Sequence, residues 1–110
     1  METYALLEHA IAHREQVIAT YDGERREFCP HVLGTKNGAR HVLGYQFGGG
    51  SRHGLPSGGE WRCFDVDGLR NVTTRPGTWH TSANVFNPQS CLDTIDIVVQ
   101  PLPPVVARAQ

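Results

Sequence analysis

An arginine stands two positions before a phenylalanine twice in this chain, Arg26 with Phe28 and Arg62 with Phe64, each time inside a strand-like run. Successive side chains of a strand turn to opposite faces, so each Arg–Phe pair shares one face of a sheet. A guanidinium held beside an aromatic ring, half out of water, is a good grip for an anion such as a phosphate or carboxylate. Tyr21, at the end of the preceding strand-like run, adds a ring to stack on and a hydroxyl. His41 offers a hydrogen-bond donor that titrates near neutrality and would tune affinity with pH. Tyr21, Arg26, His41 and Arg62 are therefore the candidate ligand-binding set. Each also has a plainer reading. The arginines would pair with Glu24, Glu27, Glu60 or Asp65, surface pairs worth only ~0–1 kcal/mol, and His41 would be a half-buried histidine satisfied by backbone.

Other chemistry finds less support. Cys29, Cys63 and Cys91 are odd in number and lack CxxC spacing, which suits buried thiols in a reducing compartment. Cys29, His31 and His41 make only a loose three where a structural zinc site wants four ligands. His9 and His13 are four apart, but Ala10 fills the slot where HExxH carries its glutamate. Gly48 to Gly59 is glycine-rich without GK[ST] or a following helix, so it reads as a surface loop, a lid with a cationic tip (Arg52, His53) at most. Ser82, His80 and Asp93 have no nucleophile-elbow framework to place them. Neither a catalytic residue, a metal nor a cofactor is expected.

Bulk properties bound the rest. At 110 residues the chain makes one domain, and 39% apolar content supports a modest core. A net charge of −1 gives no general basic field toward duplex DNA or anionic membranes. No stretch approaches the ~20 apolar residues of a membrane span, and the start lacks a secretory signal, so a cytoplasmic location is expected.

The elements that must position the candidate residues are mostly strands. Thr3 to about Gln16 reads as a helix, with Leu7, Ala10, Ile11 and Arg14 at helical spacing and Thr3 as N-cap. Strands follow at 17–21, 25–33, 40–47, 61–66, 69–74 and 94–100, punctuated by Asp22-Gly23, Asn37-Gly38 and Asp67-Gly68. Folding the hairpin about Asn37-Gly38 sets Gly34 opposite His41, Val32 opposite Leu43 and Pro30 opposite Tyr45. Val32, Leu43, Tyr45 and Phe47 then form the core face, while His31, Leu33, Thr35, Arg40, Val42 and Gln46 form a mixed one. Arg26 and Phe28 continue on the core face unless a bulge at Pro30 reverses them. Trp61 and Trp79 suit core or interface packing better than base stacking. One helix and five or six short strands imply a mainly β fold, a small SH3-like or Sm-like partly open barrel.

From about Leu6 to Leu69 the chain resembles the WYL domain, a ligand-sensing module usually attached to bacterial helix-turn-helix regulators and some phage-defence proteins. The resemblance is carried by Ala10-Ile11 in the first helix, Tyr21, Arg26-x-Phe28-x-Pro30, and Arg62-Cys63-Phe64 running on to Val66-Asp67-Gly68-Leu69. The family's Trp-Tyr-Leu strand falls on His41-Val42-Leu43, so its tryptophan is replaced. Gly68 replaces the family's usual arginine, a loss for which Arg70 or Arg52 would have to compensate. A single WYL-like domain over 1–100 (helix 3–16, barrel 17–100) is implied, then a proline-rich flexible tail over 101–110, with no helix-turn-helix. The resemblance implies sensing of an anionic small molecule, nucleotide or short single-stranded nucleic acid, and control of a partner protein. The alternative is a protein-interaction or homo-oligomeric assembly module without a small-molecule ligand.

Overall fold

The computed structural model describes residues 2–51, 54–82 and 91–99. The proline-rich segment 101–110, and Arg52 and His53 of the glycine-rich loop, lie outside the described residues. Helix α1 (Thr3–His13) buries Leu7, Ala10 and Ile11, the residues whose spacing marks its inner face. It stops short of Gln16 because Arg14 turns into the left-handed region at φ 53°. The Arg14 and Glu15 amides then donate back to Ile11 O and Ala10 O, a Schellman-type closure that frees Gln16 to begin a strand. Thr3 is the first helical residue rather than the cap; Glu2 takes the capping position without a side-chain bond.

Six strands follow: β1 (Gln16–Tyr21), β2 (Glu24–Lys36), β3 (Ala39–Gly49), β4 (Glu60–Asp65), β5 (Arg70–Arg75) and β6 (Thr94–Val98). All pair antiparallel, in the order β4-β3-β2-β1-β5, with β6 beside the far half of β2. The sheet curls without closing, since β4 and β5 at its two ends are not paired to each other. The fold is thus mainly β with one N-terminal helix, a partly open barrel. A 3-10 turn, Val66–Gly68, joins β4 to β5, capped by the Asp65 carboxylate, which accepts from the Asp67 amide at 3.0 Å. The two hairpin turns use left-handed pairs, Asp22-Gly23 (φ 51° and 77°) and Asn37-Gly38 (φ 52° and 82°), as a type I′ turn demands.

The β2–β3 hairpin keeps Gly34 opposite His41 and Val32 opposite Leu43, but Pro30 faces Gly44 instead of Tyr45. His31 is the extra residue of a bulge, where proline's missing N–H interrupts the ladder. The bulge swaps the faces of everything before it. Phe28 therefore joins Leu33 and Val42, not Val32 and Leu43. The expected face assignment is also inverted: α1 packs on the Leu33/Val42 side, with Val17, Ala19, Phe64, Val66 and Leu69, and this is the main core. The opposite side is a smaller cluster of Val32, Leu43, Cys91 and Leu92, with Trp61 and Val98 against it. Each fully buried Leu, Val or Phe stabilises by about 1.5–3 kcal/mol, so the larger cluster dominates. Phe47, expected in the core, is skipped by a second register shift and stacks on the His80 ring at 4.0 Å.

The cysteines also differ from expectation. Cys63 and Cys91 form a disulfide, leaving Cys29 as the free thiol, buried and with its pKa pushed up to about 11 by that burial. Neither cysteine of the pair has a near neighbour in sequence, so spacing carries no sign of a bond closed across 28 positions. In the chain-entropy view such a bridge contributes about 3–4 kcal/mol. Cysteine usage therefore gives no ground for placing the chain in a reducing compartment. Among the described residues no helix is long and apolar enough to cross a membrane.

The bulged His31 is wholly buried between Trp61 and Trp79, with ring centroids 4.6 and 4.9 Å away. Its Nδ1 donates to Cys29 O at 2.7 Å, so Nε2 accepts from the Thr81 hydroxyl at 3.0 Å. Burial drives its pKa down to about 4, opposed by the Cys29 carbonyl and aided by the Arg14 charge. The unfolded chain, with an ordinary histidine pKa near ~6.5, then binds more protons between about pH 6.5 and pH 4. Stability is expected to fall as pH drops through that window, by up to about 1.4 kcal/mol per pH unit from this residue. Urea denaturation of the native chain and of His31→Gln at pH 7, 5.5 and 4.5 measures it. The variant's stability should decline less over the same range.

Candidate anion-binding site

Three neighbouring strands present one set of side chains on the main-core face: Arg26 and Phe28 from β2, Gln46 from β3, Arg62 and Phe64 from β4. Between the two Arg–Phe pairs β3 carries Gly44, whose pairing partners are Pro30 and Arg62. A Cβ at Gly44 would lie 2.6 Å from the Phe28 ring. Its absence lets Phe28 and Phe64 meet across the middle strand, centroids 4.6 Å apart. The arginines lie at the other end of these pairs, where the β1–β2 turn and the loop after β3 come together.

There an open pocket of about 250 Å³ is lined by Tyr21, Asp22, Arg26, Ser51, Arg62, Cys63 and Phe64. Tyr21, Arg26 and Arg62 of the candidate set thus come together. His41 does not. It stands on β3 opposite Asp65, its Nδ1 on Ala39 O at 3.1 Å, away from the pocket lining. The backbone satisfaction weighed as its plainer role is what the geometry provides.

Arg26 is 5% exposed. Its guanidinium lies over the Tyr21 ring (5.5 Å) and near the Phe64 ring (5.9 Å). Nε and Nη2 donate to Tyr21 O at 3.3 and 3.2 Å, and Nη1 donates to Gln46 Oε1 at 3.3 Å. All these acceptors are neutral. Among the described residues no carboxylate forms an ion pair with Arg26: Glu27 is taken by Arg25 and Arg75, and Glu60 by Arg62. Burial and then the like charge of Arg62 pull the Arg26 pKa down, while Asp22, Glu24 and Tyr21 push back. Burying an ion without a counter-ion costs several kcal/mol, a cost the fold bears here.

Arg62 is better supplied but incomplete. Its Nη2 pairs with Glu60 at 2.8 Å and reaches Ser51 Oγ and Gly54 O at 3.4 and 3.3 Å. Its Nε is buried with no hydrogen-bond partner among the described residues. The ion-pair reading therefore holds for Arg62 and fails for Arg26.

Two further residues shape the pocket, one of them unmarked in the sequence. Gln46 is wholly buried. Its Nε2 donates to Gly48 O at 2.9 Å and Gly50 O at 2.8 Å, so Oε1 must face Arg26. One amide thus fixes both the guanidinium and the start of the loop carrying Ser51. Its sequence signal is only a polar residue in a strand read as mixed. Tyr21 is pinned in turn: its ring meets Phe64 edge-on at 5.0 Å, and its hydroxyl accepts the Asp65 amide at 3.1 Å. A Cβ at Gly68, the second shaping residue, would sit 2.9 Å from the Tyr21 ring. The ring therefore occupies the space beside the position where the WYL pattern has an arginine. Arg70 donates to Asp67 O and Leu69 O and lines a separate cleft with Arg40 and Tyr4, so it does not make good that loss; Arg52 lies outside the described residues.

Among the described residues no group of three His, Cys, Asp or Glu side chains is placed to hold a metal. A scan against protein-family models matches no family, and searches of curated proteins and of solved structures find no match for this chain.

Replacing Gln46 with Leu should leave one Arg26 donor and two glycine carbonyls without their partner. A loss of about 2–4 kcal/mol is expected from these orphaned groups, measurable as a lower urea midpoint at unchanged m-value.

Proposed function

We propose that this domain is a ligand-sensing module whose pocket binds the anionic group of a small molecule, a nucleotide or a short single-stranded nucleic acid. The carrying observation is the Arg26 guanidinium, 5% exposed and bonded only to neutral acceptors among the described residues. An ordinary structural arginine keeps its charge in water or beside a carboxylate; this one keeps it at a pocket wall. A second guanidinium lines the same pocket, repelling the first until an anion lies between them. The WYL-like order of Tyr21, Arg26-x-Phe28 and Arg62-x-Phe64 supports the same reading, and with it a regulatory role toward a partner protein. The assembly alternative draws on Trp61 and Trp79, and both rings pack on His31.

Binding is measured by thermal shift and calorimetry with inorganic phosphate, nucleoside monophosphates and a short oligothymidylate. A ligand at 100 times its Kd stabilises the native state by about 2.7 kcal/mol, well within reach of the assay. Arg26→Lys keeps the charge but loses the planar fork, and affinity should drop about tenfold. Replacing Arg26 and Arg62 together with Gln should abolish binding while far-UV circular dichroism stays native. A folded double variant with unchanged affinity overturns the proposal.

A further inference from the structure

The rim of the pocket carries a group that a simple anion trap would not want, the carboxylate of Asp22. Asp22 opens the β1–β2 turn with left-handed backbone, φ 51°, and lines the pocket beside Arg26 and Arg62. Among the described residues it makes no side-chain hydrogen bond or ion pair, although its charge reaches Arg26 and partly opposes the lowering of that group's pKa. A negative charge at the edge of a bound anion weakens binding unless the ligand brings a hydrogen-bond donor to it. A donor accepted by a carboxylate forms one of the stronger hydrogen bonds, enough to offset the repulsion.

The two guanidiniums narrow the anion itself. One fork saturates a carboxylate, whereas a phosphomonoester presents three oxygens and about −1.5 to −2 charges near neutrality. It can therefore engage two guanidiniums at once. A pocket of about 250 Å³ takes a phosphoryl group and only a few further atoms. We infer that the pocket selects the phosphomonoester of a small hydroxyl- or amine-bearing molecule, its phosphoryl group between Arg26 and Arg62 and its donor on Asp22. Asp22 is then the specificity-determining residue. This inference rests on the anion-binding reading and adds the ligand's second half.

Calorimetry of the full chain with inorganic phosphate and with glycerol 3-phosphate tests it. The native protein should prefer glycerol 3-phosphate by about tenfold, the scale of one hydrogen bond to a charged group. Asp22→Gly removes the carboxylate and suits the left-handed backbone. Phosphate should then bind about tenfold tighter, the scale of one unit charge at ~5 Å in a partly aqueous site. Glycerol 3-phosphate should stay within about twofold, because the lost repulsion and the lost hydrogen bond offset each other. Asp22→Asn, which keeps an acceptor and the turn, should tighten both ligands. Equal tightening of both ligands in Asp22→Gly, or a native protein without preference, overturns the assignment of Asp22 and leaves the anion site standing. A native protein that binds neither ligand overturns both.

Discussion

The Arg26 guanidinium sits against two aromatic rings and, among the described residues, bonds only to neutral oxygens, and the geometry around it follows from that placement. A buried cation needs its N–H groups directed, and here the Tyr21 carbonyl and the Gln46 amide take three of them while the ring faces meet the charge. Each is itself fixed. Tyr21 is held by the Asp65 amide and by Phe64, and Gln46 by the carbonyls of Gly48 and Gly50. The result is a charge held in place by three bonds to neutral oxygens, with no counter-ion among the described residues.

Much of this is legible in the sequence because it follows from local rules. Asp22-Gly23 and Asn37-Gly38 mark two hairpins, and two-residue periodicity puts each arginine on the same face as its phenylalanine. Convergence of Arg26 and Arg62 is expected from those pairs, and the pocket lining contains both. What escapes depends on non-local packing. The bulge at His31 reverses the faces of β2, and the helix covers the side read as mixed. Those two departures cancel for Arg26 and Phe28, which end in the main core by a route the periodicity does not describe. The Cys63–Cys91 bond and the burial of Gln46 likewise depend on which segments meet in space. The left-handed Arg14 ends the helix without the glycine that usually signals such a stop.

The residues that carry the WYL-like sequence pattern have definite places in the fold. The two Arg-x-Phe strands contribute to one pocket. Val42 is core, and the His41 Nδ1 is met by a carbonyl of its own hairpin. The space beside Gly68 is filled by the Tyr21 ring.

The cystine gives that pocket a covalent frame. Cys63 follows Arg62 directly and is tied to the segment that leads into β6, which pairs with β2, the strand bearing Arg26. The strands that bear the two cations are therefore linked by one sulfur bridge and, at Val32–Thr35 of β2, one hydrogen-bonded ladder. Sliding of either strand would have to break that loop. Freedom that an untethered edge strand would keep is removed by the bridge. Reduction of that bond would return to β4, at one end of the sheet, the freedom the bridge removes.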